Sequence, residues 1–496
     1  MPGISFYDPL YDYVTFEEAA SANTRGFFNI GYQDNDAPKQ ILPFLSTLEF
    51  NRLSFLRQSN LSFLIYPSST HTRFAHAIGC CYLGFLSTAK ISIVENHKNK
   101  KPSENETQMI LNDWLNGKGW KEEYLLALLL HDIGHFAFSH ALESNICLWD
   151  ALGFQLEHED VAHEFICGKG KLAKSFRDKN CSYGNQYKFI NDVVKSNSEI
   201  NCDIISFLIR GNPDDIKKFS PKQQIELKLL HELTSGLLDL DRIDHYRRDS
   251  YFSGLKFASN LNFSIILNGL TIKYDDSGHK IKLTNDAIGH ALTLLHSKER
   301  LIHDCFENPS NIALEVMLHQ AFNLFLFGSR HCEHNGKKIK ASAYQKKKAI
   351  DLLLSTDEEL LIKLEAGTPE VRQIISQIRN RDPYTYIGKF NWTKGSVKES
   401  TLRKMIIEKS GVNMESLVLK MAKGLYGKQS ISKEWLNLEE LHDLEGHKLE
   451  LHPEYSQQIK YFQEVQRNTA KAFWVFTNSK NASVAKKIKN AVNDIL

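Results

Sequence analysis

The chain has 496 residues, with 61 Lys and Arg against 59 Asp and Glu, and 42% of its residues are hydrophobic. At roughly 100–200 residues per domain, this length accommodates two or three domains, or one large core with an appendage. An aromatic content of 11% excludes a mainly disordered chain, and a net charge of +2 excludes a global attraction to polyanions.

The N-terminus, MPGISFYDPLYDYVTFEE, has no basic stretch leading into an apolar run, so no secretory signal is expected. No segment approaches the ~18 uninterrupted apolar residues of a membrane span, and no membrane partner is expected. The eight cysteines are scattered, apart from the adjacent Cys80 and Cys81. That is neither a disulfide framework nor a zinc ribbon, and it suits a reducing cytoplasm.

The first informative segment is YPSSTHTRFAHAIGCCYLG, Tyr66 to Gly84, which opens an apolar helix with His71, Arg73 and His76. An arginine beside a metal-ligating histidine suits phosphate handling, because its planar fork binds the oxygens that a metal polarises. The bland alternative is a helix start with exposed polar residues. Asn105 to Leu115 follows as a predicted helix, from apolar residues at three-to-four spacing.

Glu122 to Ala141 reads as one longer helix by the same spacing. Within it and just beyond lies LLALLLHDIGHFAFSHALE, Leu125 to Glu143, where six apolar residues run into His131 and Asp132, then His135, His140 and Glu143. On a helix, His131 and His135 share a face one turn apart. Imidazole and carboxylate at this spacing suit a divalent cation: Mn, Fe, Zn or Mg. A His-Asp pair behind a buried apolar run is costly unless a metal or a buried partner compensates it.

In SGLLDLDRIDHYRRDSYFSG, Ser235 to Gly254, Asp239, Asp241, Asp244 and Asp249 interleave with Arg242, Tyr246, Arg247 and Arg248. A helix face of i,i+4 ion pairs is the plain account. Leu237, Leu238, Leu240 and Ile243 argue against it, since they put Asp241 near an apolar face, where a carboxylate contributed to a distant metal makes better sense.

Leu270 to Leu283 alternates about Asp275-Asp276-Ser277-Gly278, a hairpin signal. Asn285 to Phe306 and Asn311 to Phe327 are predicted helices. Polar breaks fall near Lys98 to Thr107, Gly168 to Tyr187, Gly328 to Lys348 and Asn391 to Ser396. The segment from Asn391 to Leu496 holds 17 Lys and Arg against 12 Asp and Glu, which gives weak support to a nucleic-acid or other anionic partner there. His442, His447 and His452 recur every five residues, not a helical face, and are assigned no metal.

In order, the HxRxxH, HDxxHxxxxH and DxDRxDxY elements resemble the HD-domain phosphohydrolases, specifically the deoxynucleoside triphosphate triphosphohydrolases of the bacterial dGTPase and SAM-and-HD-domain dNTPase family. The resemblance runs from about Pro43 to Phe390. It implies a mainly α fold: an HD helical core with a small β-hairpin and a further helical lobe in residues 1–390, then a C-terminal helical segment, 391–496. It implies that His76, His131, Asp132 and Asp241 ligate a divalent metal. His135 matches the active-site histidine, His158 in LEHED its partner, and Glu143 stands where the family often has an Asp that orients it. Gln58 matches a sugar contact, Arg73 the arginine on the α-phosphate side, and Tyr246 and Asp249 the pair that reads the 3′-hydroxyl. Arg242 and Lys298 match basic positions near the outer phosphates, Lys298 where an Arg is usual. Phe306 and Asn308 depart from a usual Tyr and His, and Ile302 from a polar contact. The implied activity is hydrolysis of a dNTP to deoxynucleoside and inorganic triphosphate, in a homo-oligomer with a nucleotide effector. The alternatives are another HD phosphohydrolase (a nucleotide monophosphatase or a cyclic- or oligonucleotide phosphodiesterase) and a nucleotide- or nucleic-acid-binding regulator with a vestigial site.

Overall fold

A computed structural model describes residues 4–16, 37–96, 106–181, 187–236, 238–330, 333–334, 337–392, 394, 397–421, 441–443, 456–457, 460 and 472–496. Leu237, His447 and His452 lie outside these residues, as does most of the break at 98–107. The fold is mainly helical, as expected. It divides into two compact units, one of residues 1–301, 341–360 and 442–446, the other of residues 302–340, 361–441 and 447–496. Among the described residues, no helix is long and apolar enough to cross a membrane.

The first unit is built around α1 (Arg73–Lys90), α2 (Lys121–Leu130), α3 (His158–Cys167), α4 (Cys202–Arg210) and α5 (Leu240–Ser253). Helix α2 is buried along nearly its whole length, with Leu125, Leu126, Leu128, Leu129 and Leu130 all closed to solvent. Such an all-round apolar helix belongs at the centre of a core, and α2 packs against both α1 and α4. Local chemistry sets the ends of the helices that flank it. Thr72 caps α1 by accepting from Ala75 N, and Asp239 caps α5 by accepting from Arg242 N at 2.7 Å. Gly254 ends α5 in the left-handed conformation.

The hairpin predicted at Leu270–Leu283 forms, with Asp275 opposite Gly278. It belongs to a sheet in which β1 (Ser92–Asn96), β2 (Glu106–Ile110), β3 (Leu270–Asp275) and β4 (Gly278–Leu283) run in the order β4-β3-β1-β2. Helix therefore begins only at Leu111 instead of Asn105, because residues 106–110 pair antiparallel with β1, a long-range contact that overrides the local spacing. The expected break after Gly168 also carries a helix, Lys171–Cys181.

In the second unit, β5 (Thr385–Asn391), β6 (Val418–Met421) and β7 (Ala472–Thr477) form an antiparallel sheet, order β6-β7-β5. It shares one core with the helices Glu399–Ser410 and Ala482–Ile495, through Leu402, Ile406, Phe473, Val475, Ile488 and Val492. The described residues of 391–496 thus include both helix and strand and are not a purely helical segment. Their sheet also recruits Thr385–Asn391, so the compact units do not divide at residue 390. Asn308 caps the helix Pro309–Phe327 through Ser310 N, a structural use for that departure.

Candidate metal centre and histidine cluster

The predicted helix over Glu122–Ala141 does not run through. Helix α2 stops at Leu130, residues 131–139 form tight turns, and a short helix restarts at His140. Phe138 and Ser139 take positive φ (54° and 52°), costly for non-glycine residues unless the surroundings hold them. Here they are held. Phe138 N donates to Asp357, and Ser139 Oγ accepts from Arg73 Nε at 2.6 Å while donating to Arg57 O. Arg52 Nη2 donates to His135 O at 2.6 Å, pinning the turn from another side. Gly134 is required at this point, because a Cβ there would fall 1.9 Å from His158 O. His131 and His135 therefore do not share a helical face, and the turn sends their rings into adjoining clusters.

The first cluster collects His76 from α1, His131 and Asp132 from the turn, and Asp241 from α5. His76 Nε2 lies 2.8 Å from Asp241 Oδ1 and 3.2 Å from His131 Nε2. Asp132 Oδ1 is 3.4 Å from His131 Nε2, and Asp132 Oδ2 is 3.8 Å from His76 Nε2. The four residues expected as ligands thus come together. Arg73 joins them, its Nη1 donating to Asp132 Oδ2 at 2.6 Å. Close approach of α1 and α5 depends on Gly79, where a Cβ would fall 2.1 Å from Asp244 Oδ1.

Hydrogen bonding around the ring fixes what this cluster can hold. His131 Nδ1 lies 2.9 Å from the carbonyl of Leu128, which can only accept, so that nitrogen carries the proton. His76 Nδ1 lies 2.6 Å from Asp244 Oδ2, on a carboxylate gripped by both Nε and Nη2 of Arg248. Burial pushes the Asp244 carboxyl up, yet Arg248 and His76 hold it below the usual carboxylate range. Both histidines in their neutral forms therefore turn Nε2 lone pairs toward each other and toward two carboxylates. Positive charge is needed between them, as a proton or as a metal ion. Two imidazoles and two carboxylates fit a divalent ion, with Asp244 orienting His76 from behind. Sequence reading noted Asp244 only as part of a charge pattern. Its spacing, three residues after Asp241 on one helix face, was the available signal.

The second cluster adjoins the first through Asp132, whose Oδ1 lies 3.1 Å from His135 Nε2. Glu143 gathers three histidines: His158 Nδ1 at 3.1 Å, His135 Nδ1 at 3.5 Å and His140 Nδ1 at 2.7 Å. His135 and His158 stack face to face, centroids 3.7 Å apart and planes 16° from parallel. No ion can lie in the plane of both rings so arranged, so the cluster suits proton handling better than a metal. Burial, with Arg73 and His158 nearby, holds His135 well below the ordinary histidine range. Burial also pulls His158 down, but Glu143 and Glu159 outweigh it and lift its pKa to about 9. One ring is thus kept neutral and its neighbour protonated.

A third network ties α5 to the loop before α1. Asp249 Oδ1 accepts from Ser59 Oγ at 2.9 Å and lies 2.6 Å from His71 Nε2, and Asp249 Oδ2 lies 3.0 Å from His245 Nε2. His71 is buried and stacks on Phe252. Gln58 is buried beside this network, its N donating to His71 O, and its Oε1 has no hydrogen-bond partner; nor has Arg73 Nη2. Arg242 turns back to its own cap, with Nη1 2.9 Å from Asp239 Oδ2. Tyr246 is buried on α5, and Lys298 is half-buried near the end of the helix Asn285–Arg300.

No family model matches the chain. Curated relatives do. It is 24% identical over 385 residues to the deoxynucleoside triphosphate triphosphohydrolase SAMHD1 homolog of Dictyostelium discoideum, covering 73% of this chain and 61% of that protein. The human deoxynucleoside triphosphate triphosphohydrolase SAMHD1 is 22% identical over 377 residues, covering 72% of this chain and 54% of its own length. An uncharacterized MG461 homolog of Mycoplasma pneumoniae is 27% identical over 345 residues, 68% of this chain and 64% of that protein. The chain spans between half and two thirds of the length of these relatives. In its motifs, in the convergence of their residues and in these matches, the chain resembles the HD-domain deoxynucleoside triphosphate triphosphohydrolases.

Proposed function

We propose that this chain is a metal-dependent phosphohydrolase that converts a deoxynucleoside triphosphate to deoxynucleoside and inorganic triphosphate. The observation that carries the reading is the convergence of His76, His131, Asp132 and Asp241 from three separate segments, with Arg73 beside them and a histidine–glutamate cluster adjoining. A divalent ion held by those four side chains supplies Lewis acidity at a phosphate centre.

The chain's own groups supply the rest. Arg73 has one buried Nη2 still unpartnered, a donor available to an α-phosphate oxygen while Nη1 and Nε stay anchored. Gln58 presents an unpartnered buried Oε1 suited to a sugar hydroxyl. Asp249 has three partners for four acceptor sites, which leaves one lone pair toward a 3′-hydroxyl, with Tyr246 one turn earlier. Arg242 and Lys298 are assigned to the outer phosphates. An alkoxide is a poor leaving group, and in this reading the His135–His158 pair, gathered by Glu143, delivers a proton to the departing 5′-oxygen. By the same resemblance, the assembly is a homo-oligomer responsive to a nucleotide effector.

The test is incubation of the full chain with each dNTP and NTP, with added divalent metal and with chelator, followed by chromatography. Free deoxynucleoside and inorganic triphosphate, formed only with metal, are expected. Orthophosphate with a diphosphate, or pyrophosphate with a monophosphate, would assign the site to a different phosphohydrolase.

A further inference from the structure

We infer that Cys167 and Cys202 form a hydroperoxide-reactive thiol pair, in which Cys202 is oxidised first and Cys167 resolves it to a disulfide. Neither residue belongs to the candidate metal centre or the histidine cluster, so the pair stands independently of the function proposed above. Among the described residues, the free cysteines are Cys80, Cys81, Cys167, Cys202 and Cys305, and Cys202 alone of these five is not buried. Cys167 is the last residue of α3 and Cys202 the first of α4, two helices that pack on each other. Their Sγ atoms lie within 4.8 Å of one another and of an Asp203 carboxylate oxygen. The Cys167 thiol hydrogen-bonds the Cys202 sulfur, and its Sγ also lies 3.5 Å from the Cys202 carbonyl oxygen.

The thiolate, not the thiol, attacks a peroxide, and the surroundings favour it at Cys202. That residue opens α4, where the helix dipole stabilises negative charge. It accepts from the Cys167 thiol, and Lys169 adds positive charge; these outweigh burial and Asp203 and hold the Cys202 thiol below the ordinary cysteine range. Asp203 Oδ1 lies 3.7 Å from Cys202 Sγ, but Lys169 stands 3.9 Å from that oxygen and Lys218 holds Oδ2. Two lysines at Asp203 also make this cluster a poor cation site. Cys167 has the opposite character: donating to Cys202, and buried, its thiol is pushed up and keeps its proton until Cys202 is oxidised. A hydroperoxide then balances the reaction. The Cys202 thiolate attacks one peroxide oxygen, an S–O bond forms, the O–O bond breaks, and the second oxygen leaves with a proton as water or alcohol. The Cys167 sulfur attacks the resulting sulfenic acid at sulfur, the S–S bond forms, the S–O bond breaks, and the departing hydroxide takes the Cys167 proton as water. Two electrons pass from the sulfurs to the peroxide. The sulfurs must close to about 2.05 Å, a movement on the scale of a rotamer change. The product clips the end of α3, the helix that His158 opens, to the start of α4.

The experiment exposes the reduced full chain to equimolar hydrogen peroxide, blocks the remaining thiols and maps the non-reduced peptides by mass spectrometry. A Cys167–Cys202 link is expected, reversed by dithiothreitol and formed roughly tenfold faster than any oxidation of Cys80, Cys81 or Cys305. Cys167→Ser should stop at a Cys202 sulfenic acid that dimedone captures, and Cys202→Ser should form no link at Cys167. The unaltered chain decides the matter even where a variant folds poorly. A Cys202 that stays free while the buried cysteines oxidise, a sulfenic acid that persists on Cys202 of the unaltered chain, or a link from Cys202 to a different cysteine would each overturn the inference.

Discussion

Asp244 accepts the Nδ1 proton of His76 and is itself clamped by Arg248, so it fixes which nitrogen His76 turns toward the centre. Loss of such a supporting partner usually costs 10–100-fold in metal affinity. Asp244→Asn should therefore weaken metal binding by about that factor in a chelator competition, and an unchanged affinity would leave His76 without a need for Asp244. Replacing a proposed ligand should be more severe. His131→Ala or Asp132→Ala should yield purified protein without stoichiometric metal and without turnover. By contrast, His135→Ala should keep its metal and lose roughly a hundredfold in turnover, the usual scale for a proton-transfer group. Elemental analysis separates the two classes, and full metal in Asp132→Ala would sink the ligand assignment. These residues were legible in the sequence because side chains at fixed short spacing carry their own signal. Ser59 and Ser139 were not, since each acts through a partner tens of residues away.

At the scale of elements, the close packing of α1 on α5 rests on Gly79. A methyl there would press on Asp244 and Arg248, which cannot yield without breaking the support of His76. Gly79→Ala should cost about 1–3 kcal/mol by denaturant midpoint, the usual price of overpacking. Gly117, in the helix Leu111–Lys118, has open space around its Cβ position, so Gly117→Ala should instead stabilise by about 0.5–1 kcal/mol. Equal effects of the two would contradict this packing. Glu49, on the helix Leu48–Arg52, accepts from Ile190 N, and burial raises its pKa from 4.5 to about 7. Its protonated form suits the fold, so the stability it contributes is present below about pH 4.5 and is lost as pH rises through about 7. Between those limits the chain should lose about 1.4 kcal/mol per pH unit relative to Glu49→Gln. Parallel urea midpoints for the two proteins from pH 5 to 8 would show that Glu49 ionises freely. The hairpin at 270–283 was readable because its turn is local. The break after Leu130 was not, because its causes are Arg52, Asp357 and His158, which periodicity within one window cannot see. The strand Glu106–Ile110 escaped for the same reason, its partner being β1.

For the molecule as a whole, the matched relatives cover about 70% of the chain, and the candidate metal cluster and the histidine cluster lie within the first compact unit. No recognisable motif lies past Asn391, yet the described residues there fold into a sheet and helices with a core of their own unit. Its strands pair across tens of residues and carry no chemical signature, so neither the sheet nor a role was legible there. The proposed function has the bond between the α-phosphorus and the 5′-oxygen break, with the 5′-oxygen leaving on the nucleoside and the water oxygen ending on the triphosphate. Turnover of a dNTP in ¹⁸O-enriched water tests it directly by mass spectrometry of both products. One ¹⁸O atom in the inorganic triphosphate and none in the deoxynucleoside is the expected result. Label in the nucleoside 5′-hydroxyl, or in released orthophosphate or pyrophosphate, would contradict it.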